Sequence, residues 1–210
     1  MRRHDLLIGD RRGPLGRGRV PAKSRAVMRF LSLVLALAVL ASPVGAQADQ
    51  TSPELDGLFE RLKTTFDVAE TAAVEAAIWT IWLHQGTAEI DRDMALGIAA
   101  INEGAYRRSL SYFDRMVRAA PDFAEAWNKR ATAHYLMGNF DASVADIRRT
   151  LALEPRHFGA LSGMGLIYDA IGNQTAAMKV WEKALEIHPH LPGMKARIQE
   201  LRAKAKGRAL

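Results

Sequence analysis

The chain has 210 residues, 25% of them charged and 7% aromatic, and it contains no cysteine, which excludes disulfides, thiolate metal sites and a cysteine nucleophile. Its formal charge of +6 is unevenly spread: residues 1–48 hold nine Lys/Arg against two acids, whereas residues 49–210 hold twenty against twenty-one. The part that folds therefore has no basic excess to grip a phosphate backbone, and nucleic acid is not an expected partner.

The chain opens on a leader, residues 1–48. Met28-Arg29 precedes an apolar run from Phe30 to Ala41, followed by Ser42-Pro43-Val44-Gly45-Ala46-Gln47-Ala48. A basic start, an apolar centre and a small-x-small ending are the parts of a secretory signal peptide, with cleavage expected after Ala48, or else after Ala46. The apolar run falls well short of the roughly 20 residues that cross a bilayer, so no stable membrane span is expected after cleavage. A signal peptide over 28–48 is complete in itself, which leaves residues 1–27 surplus and the start open between Met1 and Met28. The mature protein is expected across the inner membrane, in the periplasm.

Residues 49–89 predict a helical hairpin. Leu55, Leu58, Phe59, Leu62 and Phe66 recur with the spacing of an amphipathic helix that starts at Ser52-Pro53. A second helix is expected from Val68 to Gln85, ending at Gly86. Val74, Ala77, Ile78, Ile81 and Trp82 form its apolar stripe, which Trp79 and Leu83 broaden. So wide a face suits a helix packed on two sides, and it offers an alternative role: a structural or self-associating module that pairs two copies as a homodimer.

From Ile90 onward the sequence repeats every 34 residues. IDRDMALGIAAINEGAYRRSLSYFDRMVRAAP starts at Ile90, AEAWNKRATAHYLMGNFDASVADIRRTLALEP at Ala124, and FGALSGMGLIYDAIGNQTAAMKVWEKALEIHP at Phe158. Position 8 is small where two helices must cross (Gly97, Ala131, Gly165), and position 20 likewise (Ser109, Ser143, Ala177). Position 15 is glycine at the turn (Gly104, Gly138, Gly172), where a left-handed backbone is needed. Position 24 is a bulky plug (Phe113, Ile147, Trp181), and position 32 a closing proline (Pro121, Pro155, Pro189). Arg130 stands at position 7 of the second copy, where its stem packs and its head either reaches solvent or pairs with Asp146 or Asp114. After Leu191-Pro192 a final helix is expected to Lys206. Met194, Ile198 and Leu201 would face inward as a terminal cap, with Lys195, Arg197, Arg202, Lys204 and Lys206 toward water.

These residues resemble the tetratricopeptide-repeat (TPR) family, a resemblance covering about 100 residues in three copies. It implies an all-α fold, a right-handed TPR superhelix. The boundaries are an N-terminal hairpin (49–89, a degenerate repeat or a cap), repeats at 90–123, 124–157 and 158–191, and a capping helix over 192–210. It further implies a scaffold that binds a protein or peptide partner along a concave groove lined by positions 2, 5, 9, 12 and 13. Here the candidate groove residues are Asp91, Met94, Ile98 and Asn102; Glu125, Asn128, Thr132 and Tyr135; and Ser162, Leu166 and Asp169. Asn128 and Tyr135 are the best placed to grip a peptide. The Lys/Asn/Arg clamp that heat-shock-chaperone TPRs close on a C-terminal carboxylate is absent: Lys129 is one step off the groove, and Gly159 and Ser162 stand where the third repeat would contribute.

Nothing in the sequence suggests catalysis. The six histidines have no metal-ligand spacing; the tightest pair, His188 and His190, is separated by Pro189. No serine sits in a nucleophile elbow and no glycine cluster forms a phosphate loop, so neither cofactor, metal nor enzymatic activity is expected.

Overall fold

The computed structural model describes residues 50–84 and 87–207. The leader with its signal-peptide reading, and the expected helix stop at Gln85-Gly86, lie outside the described residues. Among the described residues there are nine helices and no strand: α1 (Glu54–Thr64), α2 (Val68–Leu83), α3 (Ala88–Asn102), α4 (Tyr106–Ala119), α5 (Ala124–Leu136), α6 (Phe140–Leu153), α7 (Phe158–Ala170), α8 (Gln174–Ile187) and α9 (Met194–Gly207). The pairs α3/α4, α5/α6 and α7/α8 are the three 34-residue copies, stacked as an all-α solenoid.

The repeat positions act as their chemistry dictates. A Cβ on Gly97 would overlap the Phe113 ring, and one on Gly165 would overlap Trp181, so position 8 is small because position 24 of the same repeat fills the space. In the second repeat Ser143 donates to the Ala131 carbonyl at 2.8 Å, which draws the two helices together. The turn glycines Gly104, Gly138 and Gly172 have φ of 72°, 75° and 80°, which any side chain would strain. The second helices end at Ala119, Leu153 and Ile187, each two residues before its proline.

At the C-terminus α9 buries Ile198 and Leu201 against Ala177 and Trp181, with Met194 partly covered, as expected of a cap. Arg197 and Arg202 do not simply face water. Arg197 pairs with Asp169 at 2.7 Å and with Glu200, and Arg202 with Glu182, so the cap is held by charge as well as by apolar contact.

The N-terminal hairpin, expected as a degenerate repeat or a cap, packs by a route that the 34-residue frame does not describe. Its apolar face does not continue the stack in front of α3. It packs on the second and third repeats: Leu55, Phe59, Leu62, Val74, Ile78, Ile81 and Trp82 form one buried cluster with Phe158, joined by Ile187 and Leu191. Only Leu83, at the end of α2, packs on the core of the first repeat. Trp82 is 1% exposed and Trp79 is half-buried, so the face that suggested a homodimer is covered by the chain itself. Apolar burial of about 1.5–3 kcal/mol for each fully buried large side chain drives this docking. A polar seam fixes its position: Gln50 bonds Asp122 O at 2.6 Å and Ala124 N at 3.2 Å, Asp56 pairs with Arg156 at 2.6 Å, and Glu75 lies 3.2 Å from His188 Nε2. Phe66, expected in the α1 stripe, is 90% exposed because α1 ends at Thr64 and Thr65 is extended (ψ 143°), which breaks the period.

Candidate partner-binding groove

The first helices of the second and third repeats, α5 and α7, lie side by side with small residues between them. Ala131, Gly159 and Gly163 leave room that larger residues would close, and Ile147 and Ser143 of α6 form the floor. The result is a hollow of about 300 Å³ walled by Asn128, Thr132, Tyr135, Leu136, Ser162 and Leu166. A second hollow of about 400 Å³ opens between α7 and α9, where Ser162, Leu166 and Asp169 meet Trp181, Met194 and Arg197. Ser162 and Leu166 belong to both, so the two hollows adjoin along α7.

Six expected residues thus converge: Asn128, Thr132, Tyr135, Ser162, Leu166 and Asp169. Their polar groups are largely engaged within the chain. Thr132 donates to Asn128 O at 3.0 Å and Ser162 to Phe158 O at 2.7 Å, while Asp169 accepts from Arg197. The Tyr135 ring packs against Phe140 with centroids 5.8 Å apart. Asp91, Ile98 and Asn102, on α3, do not line these hollows; Asp91 and Ile98 are half-buried and Asn102 is exposed.

Two expected groove residues are corrected. Met94 is 3% exposed, inside the first-repeat core with Ile90, Phe113 and Phe123, on which Leu83 packs. Glu125 is 1% exposed because the N-terminal hairpin covers this end of α5. His157 Nδ1 accepts the Ala160 amide at 3.1 Å, so the ring proton sits on Nε2 and is donated to Glu125 Oε2 at 2.7 Å. Asn128 donates to the same oxygen at 2.9 Å, and Lys129 Nζ lies 3.0 Å from Oε1, off the hydrogen-bond direction. Burial pushes the Glu125 carboxyl up, but Lys129 and His157 together outweigh it and hold it below the ordinary carboxylate range. Trp82 stacks on His157 at 4.1 Å with an interplanar angle of 12°, and Trp79 stands over Gly159.

Arg130 resolves its alternatives by pairing with both acids. It holds Asp146 through two bonds of 2.8 and 2.7 Å and Asp114 at 3.0 Å, with its guanidinium 4.8 Å from the Trp127 ring. Hydrogen bonding to Asp146 raises its pKa above the usual arginine value despite partial burial. Asp93, at the entry of the first repeat, is likewise held by Arg115. His134 packs with Nε2 4.0 Å from Asp146. These networks join helices and open on neither hollow.

Trp181, Met194 and Arg197 also line the second hollow, although the repeat frame places Trp181 in the core and the helix pattern turns Arg197 toward water. The signal available was the apolar start of α9, which has to fold back over α7.

The family model described as Tetratricopeptide repeat matches residues 94–136 and 129–192. A TPR repeat-containing protein of Rhizobium etli is 40% identical over 135 residues, which is 64% of this chain and just under two thirds (66%) of the relative's own length. Among solved structures, the Sgt2 TPR domain from Aspergillus fumigatus superposes with a TM-score of 0.53 at 21% identity, over 57% of this chain and 81% of that one. The first TPR of Spaghetti (RPAP3), bound to the HSP90 peptide SRMEEVD, gives 0.51 at 20% identity, over 54% and 93%. At such identities the structural likeness concerns the fold.

Proposed function

This chain is a tetratricopeptide-repeat protein, and from that premise we propose that it is a non-catalytic scaffold that holds a protein or peptide partner in the concave face of its second and third repeats. The observation that carries the proposal is the convergence of Asn128, Thr132, Tyr135, Ser162 and Leu166 on one hollow. A solenoid built from helical hairpins offers such a face for recognition without ordering any new segment of its own. The peptide carried by the Spaghetti structure supports interaction as the general role.

The working place we propose is the periplasm, supported by the signal-peptide pattern at 28–48. The N-terminal mass of the exported protein tests it: a mature chain starting at Asp49 is expected, and a chain retained with residues 28–48 intact would overturn it.

The groove is tested by pull-down from envelope extract. Asn128→Ala is a poor probe, because Asn128 is 7% exposed and braces Glu125. Tyr135→Ala with Thr132→Ala leaves that network alone. Loss of the partners captured by the wild type is expected, and capture of the same partners by both proteins would sink the groove assignment.

A further inference from the structure

Resting on the groove reading above, we infer that the partner segment is uncharged where it docks and inserts two apolar side chains, one on each side of Leu166. In a chain with 25% charged residues, the wall of the hollow between α5 and α7 carries none. The hollow between α7 and α9 has only Asp169 and Arg197, which neutralise each other at 2.7 Å. Lys129, on the flank of α5, is engaged by Glu125 at 3.0 Å and lies over the Trp79 ring. An acidic or basic side chain entering either hollow would lose its water and gain no counter-charge. Apolar side chains meet the opposite situation: Ile147 lies on the floor of the first hollow beside Ala131, with the Ser143 hydroxyl already bonded to Ala131 O, Trp181 and Met194 wall the second, and Leu166 is 48% exposed between them. Because the hollows lie on either side of α7, the two anchors are separated by roughly one helix spacing, about 8–10 Å.

The acidic peptide SRMEEVD of the structural neighbour makes a direct contrast. This groove has no unpaired cation in its walls to receive its carboxylates.

Random displayed peptides of about 12 residues, selected against the full chain, test the inference. Enriched peptides are expected to carry two apolar residues without charge bias. Synthetic copies should change affinity less than about twofold between roughly 50 and 500 mM salt. Leu166→Glu, at an exposed helix position, should weaken them by about tenfold or more, with Leu136→Glu as a second variant. Labelled SRMEEVD should show no binding, and binding by it would overturn the inference. Enrichment of charged peptides that are lost with Tyr135→Ala would overturn the uncharged partner and leave the groove standing. Peptides indifferent to Tyr135→Ala and Leu166→Glu, or no enrichment, would overturn both.

Discussion

Gly159→Ala adds one methyl group where the N-terminal hairpin meets α7. Its Cβ would stand 2.7 Å from Trp79 Cη2 and 3.3 Å from the His157 ring. Ordinary contact begins near 3.4 Å, so Trp79 must retreat by about 0.7 Å or the hairpin must shift, and overpacking of this kind costs about 1–3 kcal/mol. The ring has little freedom to retreat, because Trp82, His157 and Phe158 surround it with centroids 5.3, 5.7 and 5.5 Å away. Against this, alanine gains about 1 kcal/mol over glycine in a helix. Gly163→Ala, one turn further along α7, isolates that gain: its Cβ would meet only Ile147 Cδ1 at 3.8 Å. The pair should therefore diverge by about 1–3 kcal/mol in urea denaturation, with Gly163→Ala above the wild type and Gly159→Ala level with it or up to about 2 kcal/mol below. At about 2–4 °C per kcal/mol the difference is also visible as a split in melting temperature. Hydrogen exchange should place the loss of protection in α1 and α2. Equal stabilisation by both substitutions would refute the docking of Trp79 on Gly159.

Arg130→Met strands Asp146, which is 4% exposed, without its bidentate partner and should destabilise by about 2–4 kcal/mol. Adding Asp146→Asn should recover a large part of that, as read by a double-mutant cycle. Gly165→Ala forces a methyl group into Trp181 and should cost about 1–3 kcal/mol in thermal unfolding, without the exchange signature in α1 and α2. The hairpin seam also carries a pH dependence. Burial holds His188 below its ordinary 6.5, with Glu75 opposing and His190 adding slightly. The unfolded chain then binds that proton more readily, so stability is full above 6.5 and lost as pH falls through the folded value. His188→Gln should flatten the urea midpoint over that range, and an unchanged slope would refute the assignment. Glu125 lies below its ordinary 4.5, so its contribution is present above 4.5 and lost as pH falls through its folded value; the gap between wild type and Glu125→Gln should close there.

The repeats were legible because their determinants are local. Gly97 and Phe113, or Gly165 and Trp181, face each other within one helix pair, and the 34-residue period writes that geometry three times. The same locality made α9 readable as a cap through Ile198 and Leu201. What the period could not convey was the destination of α1 and α2. Their contacts join residues about a hundred positions apart, Asp56 to Arg156 and Glu75 to His188, and no spacing rule reaches that far. A partial signal existed in Lys63: a 34-residue frame extended back to Asp56 puts it at position 8, where a stacking repeat needs a small residue. It argued against stacking without saying what replaced it. The groove was half legible for the same reason: Thr132, Tyr135 and Leu166 follow the repeat frame, whereas Glu125 followed it and was then covered by a segment from outside the frame.

A solenoid usually tolerates gain or loss of a repeat, because each unit touches only its neighbours and the ends are free to move apart. The docked hairpin removes that freedom. Gln50 grips Asp122 and Ala124 at the boundary of the first two repeats, Asp56 reaches Arg156 at the end of the second, and Glu75 reaches His188 at the end of the third. Those anchor points keep register only while one repeat separates Ala124 from Phe158. Duplicating or deleting the 124–157 unit would move one set of anchors by a whole repeat and leave the other behind. The number of repeats between Ala124 and Phe158 is therefore fixed by the N-terminal arm.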